Sequence, residues 1–250
     1  MGITLYTNNA FSSISDPDSY SPGFDVTGLL RSELFTYTGI GSNLMPGVGG
    51  STVLGTPVLN DDSPYATFYN NAGQGNIDTG VTGGNAQTWF LLFDPAGDTS
   101  QRLVMSSYAG TSSSALPGEG IMVNTSGALQ FMLGYHDTSS DAYGVSSATL
   151  SVFDFSKKSL LCVTLNGTTA TIQDLTHGLT ATVTLSAGRE RASNGIRVGK
   201  GAVSLWGSNT ATSKIAAYLI FNRVLASDEK EQVRNYLQKC IQAKFPAEIL

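Results

Sequence analysis

The sequence has little charge, and what it has is mostly negative. Aspartate, glutamate, lysine and arginine make up 13% of the 250 residues, against roughly 25% in an average domain. The formal net charge is −5 and the isoelectric point is near 4.9. Because no basic patch is present to follow a phosphate backbone, we expect no nucleic-acid partner.

Cysteines and long apolar runs are also scarce. The two cysteines, Cys162 and Cys240, form no metal-binding motif. Each lies in an apolar pattern, which favours two buried free thiols, with a disulfide bridge as the alternative. The first residues, MGITLYTNNAF, lack the charged and apolar regions of a signal peptide, and no run is long enough to span a bilayer. We therefore expect synthesis in a cytoplasm and no membrane partner.

Glycine, serine and threonine are abundant where charged residues are few. They occur in short segments in which polar and apolar residues alternate. In residues 179–186, LTATVTLS, apolar side chains share one face and threonines the other, as in a half-exposed strand. The segment QTWFLLF is apolar on both faces and predicts a central strand with Trp89 and Phe93 in the core. The turn N-G-T-T at Asn166 is typical of a hairpin. These signals predict two antiparallel sheets packed face to face.

Only the last part of the chain has a helical pattern. Ser227 is a favourable N-cap, and acidic residues follow it in the first turns. The spacing predicts one helix at about residues 228–244, covering one end or edge of the sheets, with an apolar stripe made by Val233, Tyr236, Leu237, Cys240 and Ile241. We interpret residues 1–23, which are polar and rich in turns, as an N-terminal arm before a single domain at 24–250.

The run GIRVGKGAVSLWGSNTATSKIAAYLIFNRVLASDEKEQVRNYL resembles the C-terminal part of laminin G-like domains of the concanavalin A-like superfamily. Those domains have a strand that ends in V-G, here Val198-Gly199, and a later strand that carries I-F-N-R-x-L, here Ile220 to Leu225. A helix start follows, here Ser227 to Glu231. The resemblance covers about residues 65–240. It implies an all-β, two-sheet antiparallel jelly-roll sandwich with a C-terminal α-helix.

The acidic residues do not form the site that glycosidases of this fold carry. Those enzymes have an E-x-D-x-x-E pattern on one strand, with paired carboxylates as nucleophile and acid; no such pattern occurs here. A Ser-His-Asp arrangement stays open, since triads assemble in space, but no G-x-S-x-G elbow accompanies His136 or His177. We therefore expect no enzymatic activity, with a hydrolase or lyase of unusual site as the least favoured alternative.

The segment GYHDTSSDAYG predicts the richest polar loop. Asp137 and Asp141 offer oxygen ligands for Ca²⁺. Tyr135 and Tyr143 offer aromatic faces for a sugar ring. The alternative interpretation is an ordinary exposed loop, in which aspartate and serine side chains make turn hydrogen bonds.

Three further stretches contain candidate or charged residues. Trp206 comes just before a loop, where it is either a ligand platform or a side chain packed under the helix. Asn60-Asp61-Asp62 is a second group of oxygen ligands, less favourable than the first. Arg189-Glu190-Arg191 predicts a solvent-exposed charged tip between strands.

The first functional hypothesis is a non-catalytic structural protein of a bacteriophage virion, such as a tail fibre, tail accessory or capsid decoration. The chain carries no recognisable export signal, yet it resembles a fold usually met outside the cell, and phage particles assemble inside a cell and act outside it. The expected partners are other virion proteins, copies of the chain itself (a trimer, for example) and host-surface glycans. The alternative is a carbohydrate-binding lectin module, calcium-dependent or not.

Overall fold

The computed structural model describes residues 22–45, 48–69, 75–109, 118–200 and 211–248. Within them, the predicted all-β fold with a C-terminal helix is confirmed. Residues 1–21 lie outside the described ranges, so the N-terminal arm and the domain boundary near residue 24 stay predictions. The elements are, in chain order, β1 (Leu29–Leu34), α1 (Phe35–Thr38), β2 (Thr52–Leu54), β3 (Val58–Leu59), β4 (Ala66–Tyr69), β5 (Asn76–Thr82), β6 (Ala86–Asp94), β7 (Arg102–Ser106), β8 (Glu119–Val123), β9 (Leu129–Asp137), β10 (Ala142–Leu150), β11 (Ser159–Asn166), β12 (Thr169–Asp174), β13 (Leu179–Thr184), β14 (Gly188–Arg189), β15 (Gly195–Val198), β16 (Thr212–Phe221) and α2 (Ser227–Lys244).

The strands form two eight-stranded antiparallel sheets, the jelly-roll sandwich that the sequence predicts. Sheet A has the order β13-β12-β11-β6-β16-β4-β3, and β1 also pairs with β16. Sheet B has the order β10-β9-β8-β7-β15-β5-β2, and β14 also pairs with β9. Successive elements cross between the sheets, so strands that are neighbours in sequence often lie in different layers.

The main core lies between the two sheets. On β6, Trp89, Leu91 and Phe93 point into this core and have no exposed surface, as predicted for Trp89 and Phe93. The alternate residues Phe90 and Leu92 are equally buried but point to the other side of sheet A. A strand that is apolar on both faces therefore needs a third layer to cover its outer side.

Helix α2 is that third layer. Its apolar stripe, which is the predicted one, packs on the outer face of sheet A against Phe90, Leu92 and Phe221. The prediction that the helix covers an end or edge of the sandwich is wrong, because sheet A offers a complete apolar face that the sequence does not place in space. Among the described residues, neither helix is long and apolar enough to cross a bilayer.

The start of α2 also differs from the prediction. Ala226, and not Ser227, is the N-cap residue, with extended backbone angles. The Glu229 carboxylate accepts a hydrogen bond from the Ala226 N–H at 2.7 Å, and it also pairs with Arg223 at 2.7 Å. A carboxylate at the third helical position thus accepts the N–H of the N-cap residue, and the predicted serine cap is absent.

Both cysteines lie in the layer between sheet A and α2. Cys162 on β11 and Cys240 on α2 are buried free thiols, which confirms the favoured interpretation over a disulfide bridge. Burial raises the pKa of each thiol to about 12. Both therefore behave as small apolar side chains.

Candidate functional site

The segment predicted as the richest polar loop is a β-hairpin. Strands β9 and β10 pair continuously from Leu129↔Leu150 to Asp137↔Ala142, so only residues 138–141 connect them. The loop prediction is wrong because β10 is the last strand of its sheet, where polar side chains face solvent without ending the strand. Gly144 has a packing role here, since a Cβ at this position would lie 2.4 Å from the Tyr135 ring.

Two aromatic rings stack on one face of this hairpin. His136 and Tyr143 are cross-strand partners, with ring centroids 3.9 Å apart and ring planes only 4° from parallel. Among the described residues, Tyr143 is on an edge strand, and no further strand of sheet B pairs with β10 on its outer side. On the other side of His136, the paired residue of β14 is Gly188, which has no side chain. The stack forms a partly exposed aromatic surface, since the His136 side chain is 23% exposed and Tyr143 is half-buried; we call it the His136–Tyr143 platform.

Each aspartate of the hairpin has its own hydrogen-bond partners. Asp141 has a left-handed backbone (φ 52°), and its Oδ1 lies 2.9 Å from His136 Nε2, although its side chain is 87% exposed. Asp137 accepts hydrogen bonds from the Ser139 N–H and hydroxyl and from the Ser140 hydroxyl, at 2.7–2.9 Å. These bonds, with the Ser139 hydroxyl first, lower the pKa of Asp137 to about 2.

These partners match the turn interpretation of the segment. Asp137 organises the turn, and Asp141 fixes the orientation of the imidazole. Within the described ranges, no group of three or more histidine, cysteine, aspartate or glutamate side chains could hold a metal ion. The assignment of Asp137 and Asp141 as calcium ligands stays a prediction.

The remaining predicted site residues lie elsewhere. Tyr135 has the opposite strand parity to His136 and packs, half-buried, against the core between the sheets. Of the two predicted tyrosines, only Tyr143 belongs to the platform. Trp206 lies outside the described residues. Asn60, Asp61 and Asp62 form part of an exposed turn between β3 and β4.

Arg189, which the sequence places in an exposed charged tip, forms a buried ion pair. The Arg189 side chain is only 5% exposed, and its Nε lies 3.9 Å from Oε2 of the fully buried Glu119 on β8. Arg189 also donates to the carbonyl oxygens of Gly84 and Gly167, which belong to turns of two other strand pairs. Burial raises the pKa of Glu119, and the Arg189 guanidinium opposes that rise.

The interpretation of Arg189 as a solvent-exposed residue is therefore wrong. Its partner is seventy positions away in the sequence, so the run Arg189-Glu190-Arg191 gave no sign of the pairing. The pair joins β8, β14 and two turns at the end of the sandwich where the β9–β10 turn lies. We call this end of the sandwich the hairpin end.

A second polar cluster lies at the opposite end, where β12 turns into β13. Asp174 Oδ2 accepts a hydrogen bond from the Ser159 hydroxyl at 2.9 Å and lies 2.8 Å from His177 Nδ1. Asp174 Oδ1 accepts the backbone N–H groups of Thr176 and His177, at 3.0 and 3.2 Å. Ser159 and Asp174 are buried, whereas the His177 side chain is 29% exposed.

This cluster has the composition of a catalytic triad but not its geometry. In a triad, serine and aspartate contact the two different nitrogens of the imidazole. Here the Ser159 hydroxyl lies 3.3 Å from His177 Nδ1, the same nitrogen that Asp174 contacts. Ser159 also has no exposed surface to meet a substrate. The arrangement left open by the sequence closes a turn and does not activate a nucleophile.

Comparison with known proteins gives structural neighbours only. No family model matches the sequence, and no curated protein matches it. The binding domain of botulinum neurotoxin DC, solved in complex with SialylT, is similar with a TM-score of 0.54 and 16% identity, over 84% of this chain and 52% of that one. The serotype G binding domain gives 0.51 and 14%, over 75% and 46%.

The serotype D ligand-binding domain, solved in complex with N-acetylneuraminic acid, also gives a TM-score of 0.51, with 13% identity over 74% and 46% of the two chains. The chain thus spans about half the length of the solved structures it matches. At these identities the likeness supports the β-sandwich fold alone, and function has to be argued from the site.

Proposed function

We propose that the chain is a non-catalytic carbohydrate-binding module and that the His136–Tyr143 platform receives the sugar. The observation that carries this proposal is the parallel stack of His136 and Tyr143 at the edge of the described sheet, with both rings partly exposed. The C–H face of a pyranose ring packs on such an aromatic face, which is a hydrophobic contact with a preferred geometry. The chain's resemblance to receptor-binding toxin domains of the same fold adds support.

Each residue of the platform has a definite role in this proposal. Tyr143 supplies the outer ring face that contacts the sugar. His136 backs that ring and is held by Asp141, which leaves the second oxygen of Asp141 to accept a sugar hydroxyl. Charge-assisted hydrogen bonds of this kind are roughly twice as strong as neutral ones. The stack is thus a rigid surface that loses little side-chain freedom on binding.

The test is a glycan array, followed by calorimetry on the best ligand, with and without a calcium chelator. We expect Tyr143→Ala to weaken binding roughly tenfold or more, as truncation of an aromatic anchor does. Tyr69→Ala is the matched control, because Tyr69 is half-buried on β4 of the other sheet. Thermal unfolding of both variants would establish that each remains folded.

Two results would contradict the proposal: no glycan bound by the native chain, or equal losses for the two tyrosine variants. The measurement with a calcium chelator distinguishes a calcium-dependent from a calcium-independent module. Unchanged affinity would indicate a calcium-independent module.

A structural role in a phage particle, in contact with other virion proteins or with copies of the chain, is the second candidate. The supporting observation is at the sandwich edge opposite β10 and β13. There the edge strands β2 and β3 expose Val53, Val58 and Leu59 by 38–43%. Open edge strands with apolar side chains are suited to pairing between chains.

Light scattering tests this second role. We expect a trimer or another closed oligomer for the native chain and a monomer for Val58→Lys. Val224→Lys is the matched control, since Val224 is a similarly exposed valine beside α2. A native chain that stays monomeric at high concentration would rule out self-assembly through this edge.

A further inference from the structure

We propose that the His136–Tyr143 platform selects uncharged sugars and rejects sialylated and other anionic glycans. This inference rests on the proposed function, because it names the ligand class of the same site. It would distinguish the chain from the neighbours of the same fold that were solved with N-acetylneuraminic acid or SialylT. The argument comes from the charges around the platform.

Three carboxylates lie on the elements that carry or flank the two rings. Asp141 is in direct contact with His136, and its side chain is almost fully exposed. Asp137, at the start of the same turn, stays ionised throughout the physiological range because its pKa is lowered to about 2. On the other flank, the Glu190 N–H bonds to the Gly134 carbonyl, and strand alternation places the Glu190 side chain on the same face as His136.

The arginine of β14 is directed away from this face. Arg189 is held between the sheets by Glu119 and by two turn carbonyls. Arg191, which follows β14, is exposed, and its charge acts on Glu119. The Nε2 atom of His136 already contacts the Asp141 carboxylate, at 2.9 Å. Among the described residues of the hairpin and β14, no arginine thus remains to bind a sugar carboxylate in the bidentate way that such groups favour.

The platform should therefore discriminate between sugars by their charge. A sialic acid on the platform would bring its carboxylate near the exposed Asp141 carboxylate, and like charges repel one another within a Debye length, about 8 Å at physiological salt. An uncharged hexose avoids this repulsion and gains from the same carboxylates, which accept its hydroxyl hydrogens. Like-charge contacts of this kind set specificity more than affinity.

The experiment measures calorimetric affinities for matched glycan pairs that differ only in a terminal sialic acid, at low and physiological salt. We expect the uncharged member to bind at least about fivefold more tightly, with the difference largest at low salt. The double variant Asp141→Asn, Glu190→Gln should lower the ratio of the affinity for the uncharged glycan to that for the sialylated glycan by about threefold. Asparagine tolerates the left-handed backbone at position 141, so the turn is retained.

Asp154→Asn is the matched control, because Asp154 is an exposed turn carboxylate that bonds to Ser156 in another turn; its affinity ratio should not change. Equal or tighter binding of the sialylated member would overturn this inference while leaving the proposed function intact. Absence of binding to any glycan would overturn both.

Discussion

The chain has two histidines, and each lies less than 3 Å from an aspartate oxygen, yet the two pairs differ in almost every other respect. At the hairpin end, His136 is stacked on an aromatic ring, and its partner Asp141 is 87% exposed. At the opposite end, His177 contacts Asp174, which is 1% exposed and bonded to three other donors. Both histidines have an aspartate partner, so the pair alone does not distinguish the two sites. An exposed carboxylate leaves the site free to bind a ligand, whereas a buried carboxylate holds the turn together; we call the buried Asp174 cluster the clamp.

The strongest way to test this comparison is to remove the buried carboxylate. We expect Asp174→Ala to lower the free energy of unfolding by about 3 kcal/mol, because it strands several donors in the interior. Urea denaturation followed by fluorescence measures the change. A loss below about 1 kcal/mol would mean that water replaces the carboxylate at no great cost and that the clamp is not structural.

A smaller effect is expected at the serine of the same cluster. Ser159→Ala removes one of the four hydrogen bonds to Asp174 and leaves the others in place. The free energy of unfolding should fall by about 1 kcal/mol. The same denaturation curves would show it. A loss as large as that of Asp174→Ala would indicate that the serine, and not the aspartate, holds the turn.

The exposed pair should contribute little to stability. Asp141→Ala breaks the contact with His136 at the surface, where an ion pair is worth only tenths of a kcal/mol. We expect a change within about 0.5 kcal/mol, together with weaker glycan binding. If this variant unfolds as readily as Asp174→Ala, the distinction between the two histidine sites is wrong.

The smallest effect is a dependence on pH from the hairpin turn. The pKa of Asp137 in the folded chain, about 2, lies below the ordinary value of 3.8 because of the Ser139 and Ser140 hydrogen bonds. Its contribution to stability is therefore complete above pH 4 and is lost as the pH falls towards 2. In Asp137→Asn, the melting temperature should fall less between pH 5 and pH 2.5 than in the native chain. Parallel melting curves for the two proteins would contradict this.

Local patterns in the sequence predicted much of the fold. The alternation of residues 179–186 and the apolar run around Trp89 depend on which side of a strand a residue occupies, and both are as predicted. The stripe on α2 and the free thiols follow from the same kind of local periodicity. Each of these features needs information only from residues a few positions apart.

The candidate site was harder to predict from the sequence, because it depends on pairing between strands that are distant along the chain. Tyr143 was identified, but its stack on His136 requires the register of β9 and β10, which polar composition concealed. The partnership of Glu119 with Arg189 requires β14 to lie beside β9, a contact between strands more than fifty residues apart. No local pattern specifies either neighbour.

The position of β16 in sheet A has a consequence for the order of assembly. This strand, the last in the described chain, fills the gap between β6 and β4 and also receives β1, whose residues lie nearly two hundred positions earlier. Contacts of such long range form slowly. We therefore expect the side of β6 that pairs with β16 to stay unpaired until β16 has been synthesised, and the chain to be most prone to aggregation during that interval.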